Sequence, residues 1–201
     1  GNSADFGVQI LGPSASGNIF QSNTIGAASA GNASGGVQIA FGAVSNTIGA
    51  LANSSYGGNA IYSNNGPGVW IPGGAFGGGT GNRVLANSMA ANSGLGIDLN
   101  GLGADANDVP ALGLPDQDTG PNNLQNYPTI TRYISTFNLI DEYKIDVTLA
   151  STPNTTFRID FYSDVSCSGI GSPPRGVGLE YLGHANLTTG PAGAGAAHRA
   201  H

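Results

Sequence analysis

Gly36-Val37-Gln38-Ile39 is the second of four related phrases. Gly7-Val8-Gln9-Ile10 precedes it, and Gly68-Val69-Trp70-Ile71 and Gly96-Ile97-Asp98-Leu99 follow. Their starting glycines, Gly7, Gly36, Gly68 and Gly96, are nearly evenly spaced along the chain. A short strand that returns at such a spacing, with turn-forming residues between, marks a winding solenoid whose core is buried one coil at a time. Side chains alternate across a strand. Val8, Ile10, Val37, Ile39, Val69, Ile71, Ile97 and Leu99 are therefore expected to face the interior. Gln9, Gln38, Trp70 and Asp98 are left as an outward row, stepping about 4.8 Å per coil.

Two further phrases interleave with the first. Gly17-Asn18, Gly58-Asn59 and Gly81-Asn82 each open a stretch with a second asparagine further on, at Asn23, Asn64 and Asn87. The run Ser22-Asn23-Thr24-Ile25-Gly26-Ala27 returns verbatim at Ser45-Asn46-Thr47-Ile48-Gly49-Ala50, a shorter interval than that of the Gly-Val phrases. Regular strands joined by loops of varying length account for both periods. Three or four coils fit residues 1–100, with the register left open. Frequent Gly and Asn exclude helices here. Asparagines at strand ends tolerate left-handed backbone angles. In stacked coils they can also bond the coils above and below.

The 201 residues carry 12 acidic and 6 basic side chains, and charged residues make up 9% of the chain, well below the usual share. The net charge of −6 and the lack of a basic stripe argue against nucleic acid and anionic membrane surfaces as partners. No run is long and apolar enough to insert into a membrane. Cys167 is the single cysteine, so no intrachain disulfide is possible. The only methionine is Met89, and the chain reads as a fragment of a longer secreted protein.

The phrases Gly-Asn-Xaa-Ile-Xaa-Xaa-Asn, Ser-Asn-Thr-Ile-Gly and Asn-Xaa-Gly-Xaa-Gly-Ile-Asp-Leu resemble the repeats of bacterial right-handed parallel β-helix proteins. That group is the pectin-lyase-like superfamily, in long secreted or surface proteins that often carry a CSLREA domain. The stretch Asn92–Leu99, followed by Asp116–Pro128, resembles the end of such an array, and Ser151–Phe161 resembles the module after it. The resemblance spans nearly all of residues 7–190. It implies an all-β fold, with a right-handed single-stranded parallel β-helix (β-solenoid) followed by a small antiparallel β-sandwich-like module. It also implies an extracellular or cell-surface location, with adjacent repeats of the parent chain as neighbours. One fold hosts many activities.

The expected organisation is β-helix repeats at 1–100, an acidic Asp/Asn/Gly loop or cap at 101–126 and the sandwich-like module at 127–190. An unstructured tail at 191–201 completes it. In the module Tyr143, Ile145, Val147 and Leu149 alternate with polar residues, as do Phe157, Ile159 and Phe161. The tail is Gly- and Ala-rich and shows no strand pattern.

Catalysis finds little support. Residues 1–100 hold only Asp5, Arg83 and Asp98 as charged acids or bases. Asp5 and Asp98 lie at opposite ends of the array, too far apart for a glycosidase pair. Asp98 can instead pair with Arg83. Cys167 and His184 share a module but no catalytic motif. No catalytic residue is assigned. The acidic stretch offers more: Asp105, Asn107, Asp108, Asp116 and Asp118 supply hard oxygens suited to calcium, though Asp and Asn are also ordinary turn formers. In the outward row, Trp70 flanked by Gln38 and Asp98 suits a sugar ring, whose apolar face stacks on indole; a covering loop would hide it. The reading is a non-enzymatic structural or adhesive segment of a bacterial surface protein that contacts extracellular polysaccharide or host glycans. The alternative is a polysaccharide lyase or hydrolase with its catalytic residues outside this fragment.

Overall fold

The computed structural model describes residues 5–101, 103–108, 116, 118–137, 141–164 and 178–200. The chain divides into two compact units. One comprises residues 1–105, 119–124 and 161–183. The other comprises 106–118, 125–160 and 184–201.

The first unit is a parallel β-solenoid of about three turns. Its first winding carries β1 (Phe6–Leu11), β2 (Ile19–Phe20) and β3 (Thr24–Ile25). The second carries β4 (Gly35–Ala40), β5 (Thr47–Gly49) and β6 (Ala60–Tyr62). The third carries β7 (Val69–Pro72), β8 (Arg83–Leu85) and β9 (Ser88–Ala90), and β10 (Ile97–Asn100) follows. Each strand stacks on its counterpart in the next winding, giving sheets in the order β1-β4-β7-β10, β2-β5-β8 and β3-β6-β9. Val8 aligns with Val37 and Val37 with Val69, which aligns with Ile97. The strands are two to six residues long because a turn residue ends each one.

The predicted interior is present. Val37, Ile39, Val69 and Ile71 are completely buried and pack with Ile10, Ile25, Ile48, Ile61 and Met89, while Val8 and Leu99 are partly buried against them. Each buried aliphatic group contributes roughly 1.5–3 kcal/mol. Ile97 departs from the expectation: it is 45% exposed, because β10 is the last strand of its sheet. Close stacking needs glycine at particular points. Gly49 has φ 104°, and a Cβ there would lie 1.9 Å from the Leu85 carbonyl oxygen in the next winding.

Three files of asparagines, most of them buried, run through the corners: Asn18-Asn46-Asn82, Asn23-Asn59-Asn87 and Asn32-Asn64-Asn92. In each file one geometry recurs. The backbone N–H and Nδ2 of one asparagine donate to Oδ1 of the asparagine in the next winding, as at Asn59 to Asn87, 3.0 and 2.9 Å. In the middle member of each file the same Nδ2 also donates to a backbone carbonyl of the preceding winding, as at Asn59 to Phe20, 2.8 Å. The first file runs one step further, where Asn82 N–H donates to Asn122 Oδ1 at 3.0 Å and Asn122 Nδ2 donates back to the Asn82 carbonyl. Asn122 lies in a 3-10 turn, Pro121–Leu124, within the stretch read from sequence as a loop or cap.

The files also resolve the two periods. Asn23 belongs to the second corner and Asn46 to the first. The verbatim repeat therefore lies on two different corners of the winding, not on stacked positions. The Gly58-Asn59 phrase likewise stacks on Asn23, not on Gly17-Asn18. Every corner uses the same local device, so identical sequence recurs within a turn as well as between turns.

The other unit contains the order β11-β12-β15, from β11 (Thr129–Phe137), β12 (Asp141–Ala150) and β15 (Ala194–Ala200), all antiparallel. β13 (Thr156–Ser163) and β14 (Glu180–Thr188) form a further two-stranded sheet. Ile145, Val147 and Leu149 on β12 are buried, as the alternation predicts. The tail is a correction. Residues 194–200, expected without structure, form β15 and pair along β12 from Ala150↔Ala194 to Lys144↔Ala200. A Gly/Ala strand has no apolar–polar contrast to read, yet its backbone groups complete the β12 ladder. Cys167 lies outside the described residues.

Candidate functional site

Gln9, Gln38, Trp70 and Asp98 stand in one file across four successive strands, as the repeat phrases predict. The file is bonded to the coils themselves. Gln9 Nε2 donates to Gln38 Oε1 at 2.8 Å. Trp70 is half-buried, and its Nε1 donates to the Gly101 carbonyl at 3.3 Å. Its ring stacks on Phe6, with centroids 5.7 Å apart and planes at 19°. Phe6 spans a winding to reach it, and the residue between is Gly35, where a Cβ would sit 2.4 Å from Phe6 Cε1.

Asp98 does not face solvent. It is 2% exposed, its Oδ2 accepts the Gly103 N–H at 3.1 Å, and its Oδ1 has no hydrogen-bond partner among the described residues. Burial holds this carboxyl above the usual carboxylate range; the Gly103 N–H works against the rise, and nearby Asp105 adds to it. The ion pair expected with Arg83 is not formed: Arg83 is exposed, and the arginine ion pairs among the described residues are Arg132–Asp146 and Arg158–Asp160.

Of the five residues singled out for calcium, the structure gathers three. Asp108, Asp116 and Asp118 each offer a carboxylate oxygen within 4.8 Å of the others, and all three are half-buried. Asp118 N–H donates to Asp108 Oδ2 at 3.2 Å. Ser151 Oγ donates to Asp116 Oδ2. The Oδ1 atoms of Asp116 and Asp118 are buried without a hydrogen-bond partner among the described residues. Asp118 is held above the usual carboxylate range by burial first, then by the Asp108 charge and hydrogen bond and by the Asp116 charge, with its own N–H opposing. Such a group is relieved either by a proton or by a cation. Three converging carboxylates are hard oxygen donors of the kind calcium takes.

Asn107 and Asp105 stand apart from this cluster. Asn107 uses its amide on Tyr127, donating to its carbonyl at 2.7 Å and accepting its N–H at 2.9 Å. Asp105 is exposed and acts on Asp98. Sequence reading missed the bracing groups. Asn126 is 4% exposed; its Oδ1 accepts Asp108 N–H at 3.1 Å and its Nδ2 donates to the Ala150 carbonyl at 2.9 Å. Ser151 is completely buried beside Asp116. These partners are remote from one another in sequence, and no local motif announces them. Also unforeseen is an exposed aromatic pair at one corner of the coils, Phe41 and Phe76, edge to face at 5.4 Å.

No helix among the described residues is long and apolar enough to cross a membrane. The chain matches no protein-family model and no curated protein sequence.

Proposed function

We propose that this chain is a structural and adhesive segment of a secreted or surface-exposed bacterial protein, of the pectin-lyase-like, CSLREA-bearing kind that its repeats resemble. One observation carries the reading: the polar groups of the outward file are bonded to the coils that bear them. A catalytic groove needs acids and bases within reach of a substrate, whereas the carboxylate of this file, Asp98, is buried. What remains outward is amide and aromatic: Gln9, parts of Gln38 and Trp70, and, elsewhere on the coils, the more exposed Phe41 and Phe76. Aromatic faces flanked by amides suit the apolar face of a sugar ring. The Asp108, Asp116 and Asp118 cluster is the site proposed for calcium, which would supply charge neutralisation and a fixed loop rather than chemistry.

The test uses pectin and alginate as both ligand and substrate. The expected outcome is retention of polysaccharide without release of reducing ends or unsaturated products, weakened in Trp70→Ala. Product release would overturn the reading in favour of an enzyme. Retention unaffected by Trp70→Ala but lost in Phe41→Ala or Phe76→Ala would move the contact to the aromatic pair.

A further inference from the structure

Phe41 and Phe76 stand at the turns that follow β4 and β7, 47% and 60% exposed. Backbone bonds stack these turns: Phe41 N–H donates to the Phe76 carbonyl at 3.0 Å, and Gly42 N–H to the Gly77 carbonyl at 2.7 Å. The turn after β1 adds Leu11, 43% exposed, and Pro13, which is exposed beside Gly42. Apolar groups of successive windings thus gather outside one corner of the coils. The backbone sets Phe41 apart. Leu11 aligns with Ala40, so Gly12 and Phe41 occupy equivalent positions, and both are left-handed, with φ 92° and 53°. Glycine meets that demand freely. For a bulky side chain such an angle is an outlier, and the exposed ring recovers little of the cost by burial. Strain of this kind clusters where a site makes use of it.

We propose that Phe41 and Phe76 form a subsite for one uncharged pyranose ring of a soluble polysaccharide chain. Shape gives the first argument. The two rings lie edge to face, with planes at 79°, and so make two walls of a notch. One sugar ring can stack its apolar face on one wall and meet the other with its edge. A flat crystalline surface would need coplanar rings instead. Charge gives the second argument. Within residues 1–131 the only lysine or arginine is Arg83. It lies on β8, in the β2-β5-β8 sheet, not in the β1-β4-β7-β10 sheet whose strands lead into these turns. A uronate carboxylate set against the rings would lose water without gaining a partner, and the net charge of −6 opposes its approach. An uncharged sugar meets neither cost. On the strands leading into the turns, the bond between Gln9 and Gln38 leaves Gln9 Oε1 and Gln38 Nε2 for hydroxyl groups. This rests on the adhesive reading and adds to Trp70 a second contact with a defined class of sugar.

The experiment compares fully methyl-esterified polygalacturonan with the same polymer after de-esterification, two probes that differ in charge but share a backbone. Binding is measured in about 0.5 M sodium chloride, which screens long-range repulsion. The expected result is that the esterified polymer binds about tenfold more tightly. Phe41→Gly and Phe76→Ala should each weaken that binding about tenfold. Phe41→Gly should also melt at or above the wild type, because it restores the residue found at Gly12 and releases the strain. A fold that gains stability while binding is lost separates a ligand-contacting ring from a merely structural one. Binding by the wild type that both variants retain would overturn this subsite and leave the adhesive reading standing. Equal or tighter binding of the de-esterified polymer would overturn the uncharged class. A lower melting temperature for Phe41→Gly would make the ring structural and overturn the proposal. So would sedimentation showing a wild-type dimer that Phe41→Gly disrupts, which would make a second copy the occupant. No binding of either polymer would overturn the subsite together with the reading beneath it.

Discussion

Asn59 is 1% exposed, and its side chain joins three windings. It accepts from Asn23 N–H and Nδ2, and it donates to Asn87 Oδ1 and to the Phe20 carbonyl. Asn59→Ala removes these bonds and strands buried partners, a loss of about 3 kcal/mol by urea titration. Asn23→Ala, at an exposed position in the first winding, should cost about 1 kcal/mol; equal losses would refute the files as a source of stability. Just before many of these asparagines the chain turns through a left-handed residue: Gly17, Ser22, Ser45, Ser63, Gly81, Ala86 and Ala91 all have φ between 54° and 73°. Ala91 is exposed, so Ala91→Gly should raise stability by about 0.5–1 kcal/mol, the relieved strain outweighing the added freedom of the unfolded chain. Asp98 gives a pH signature. Its folded pKa is raised, so the folded state holds the proton more tightly than the unfolded one. That stability is full below the unfolded value, about 3.9, and is lost as pH rises through the folded value. Asp98→Asn keeps an acceptor for Gly103 and removes the loss. It should match the wild type near pH 3 and exceed it at pH 7, as urea titration at the two pH values would show. At this scale the asparagines were legible as turn formers able to bond the coils above and below, but which asparagine meets which was not, because every corner spells the same phrase.

Among the elements, strands with apolar–polar contrast could be read directly. β4 and β7 follow from the Gly-Val-Xaa-Ile phrases, and β12 from the alternation at Ile145, Val147 and Leu149. β15 could not, since Gly and Ala bury little whichever way they face. The acidic stretch was legible as a cluster of hard oxygens, but which residues converge depends on Asn126 and Ser151, remote in sequence. The Asp108, Asp116 and Asp118 loop carries its own prediction. Calcium at a hundred times its dissociation constant should stabilise this unit by about 2.7 kcal/mol, seen as a higher melting temperature. Asp118→Asn should do two opposite things: raise the melting temperature in chelator, by removing a like charge, and blunt the response to calcium. Identical melts in chelator and calcium for the wild type would dismiss the site.

For the whole chain, the register of the coils was the illegible part, because a shorter repeat between corners competes with the longer period of the windings. The class of architecture was legible because apolar spacing survives changes in loop length. In a stack of this kind each winding depends on its neighbours. Ile39→Ala, in the second winding and wholly buried, should cost about 3 kcal/mol, and Ile39→Asp should abolish the cooperative melt of the coils. Val8→Ala, half-buried in the first winding, should cost about 1 kcal/mol and fray only that edge, as hydrogen exchange would resolve. The strands lie across the cylinder while their hydrogen bonds run along it, and this has a mechanical result. Tension along the axis meets those bonds in a peeling geometry, one layer at a time, not in collective shear. Each released layer, on the order of 30 residues, pays out about 100 Å of slack. Under such a pull the coils yield early and lengthen in steps, spreading the work of extension over successive layers.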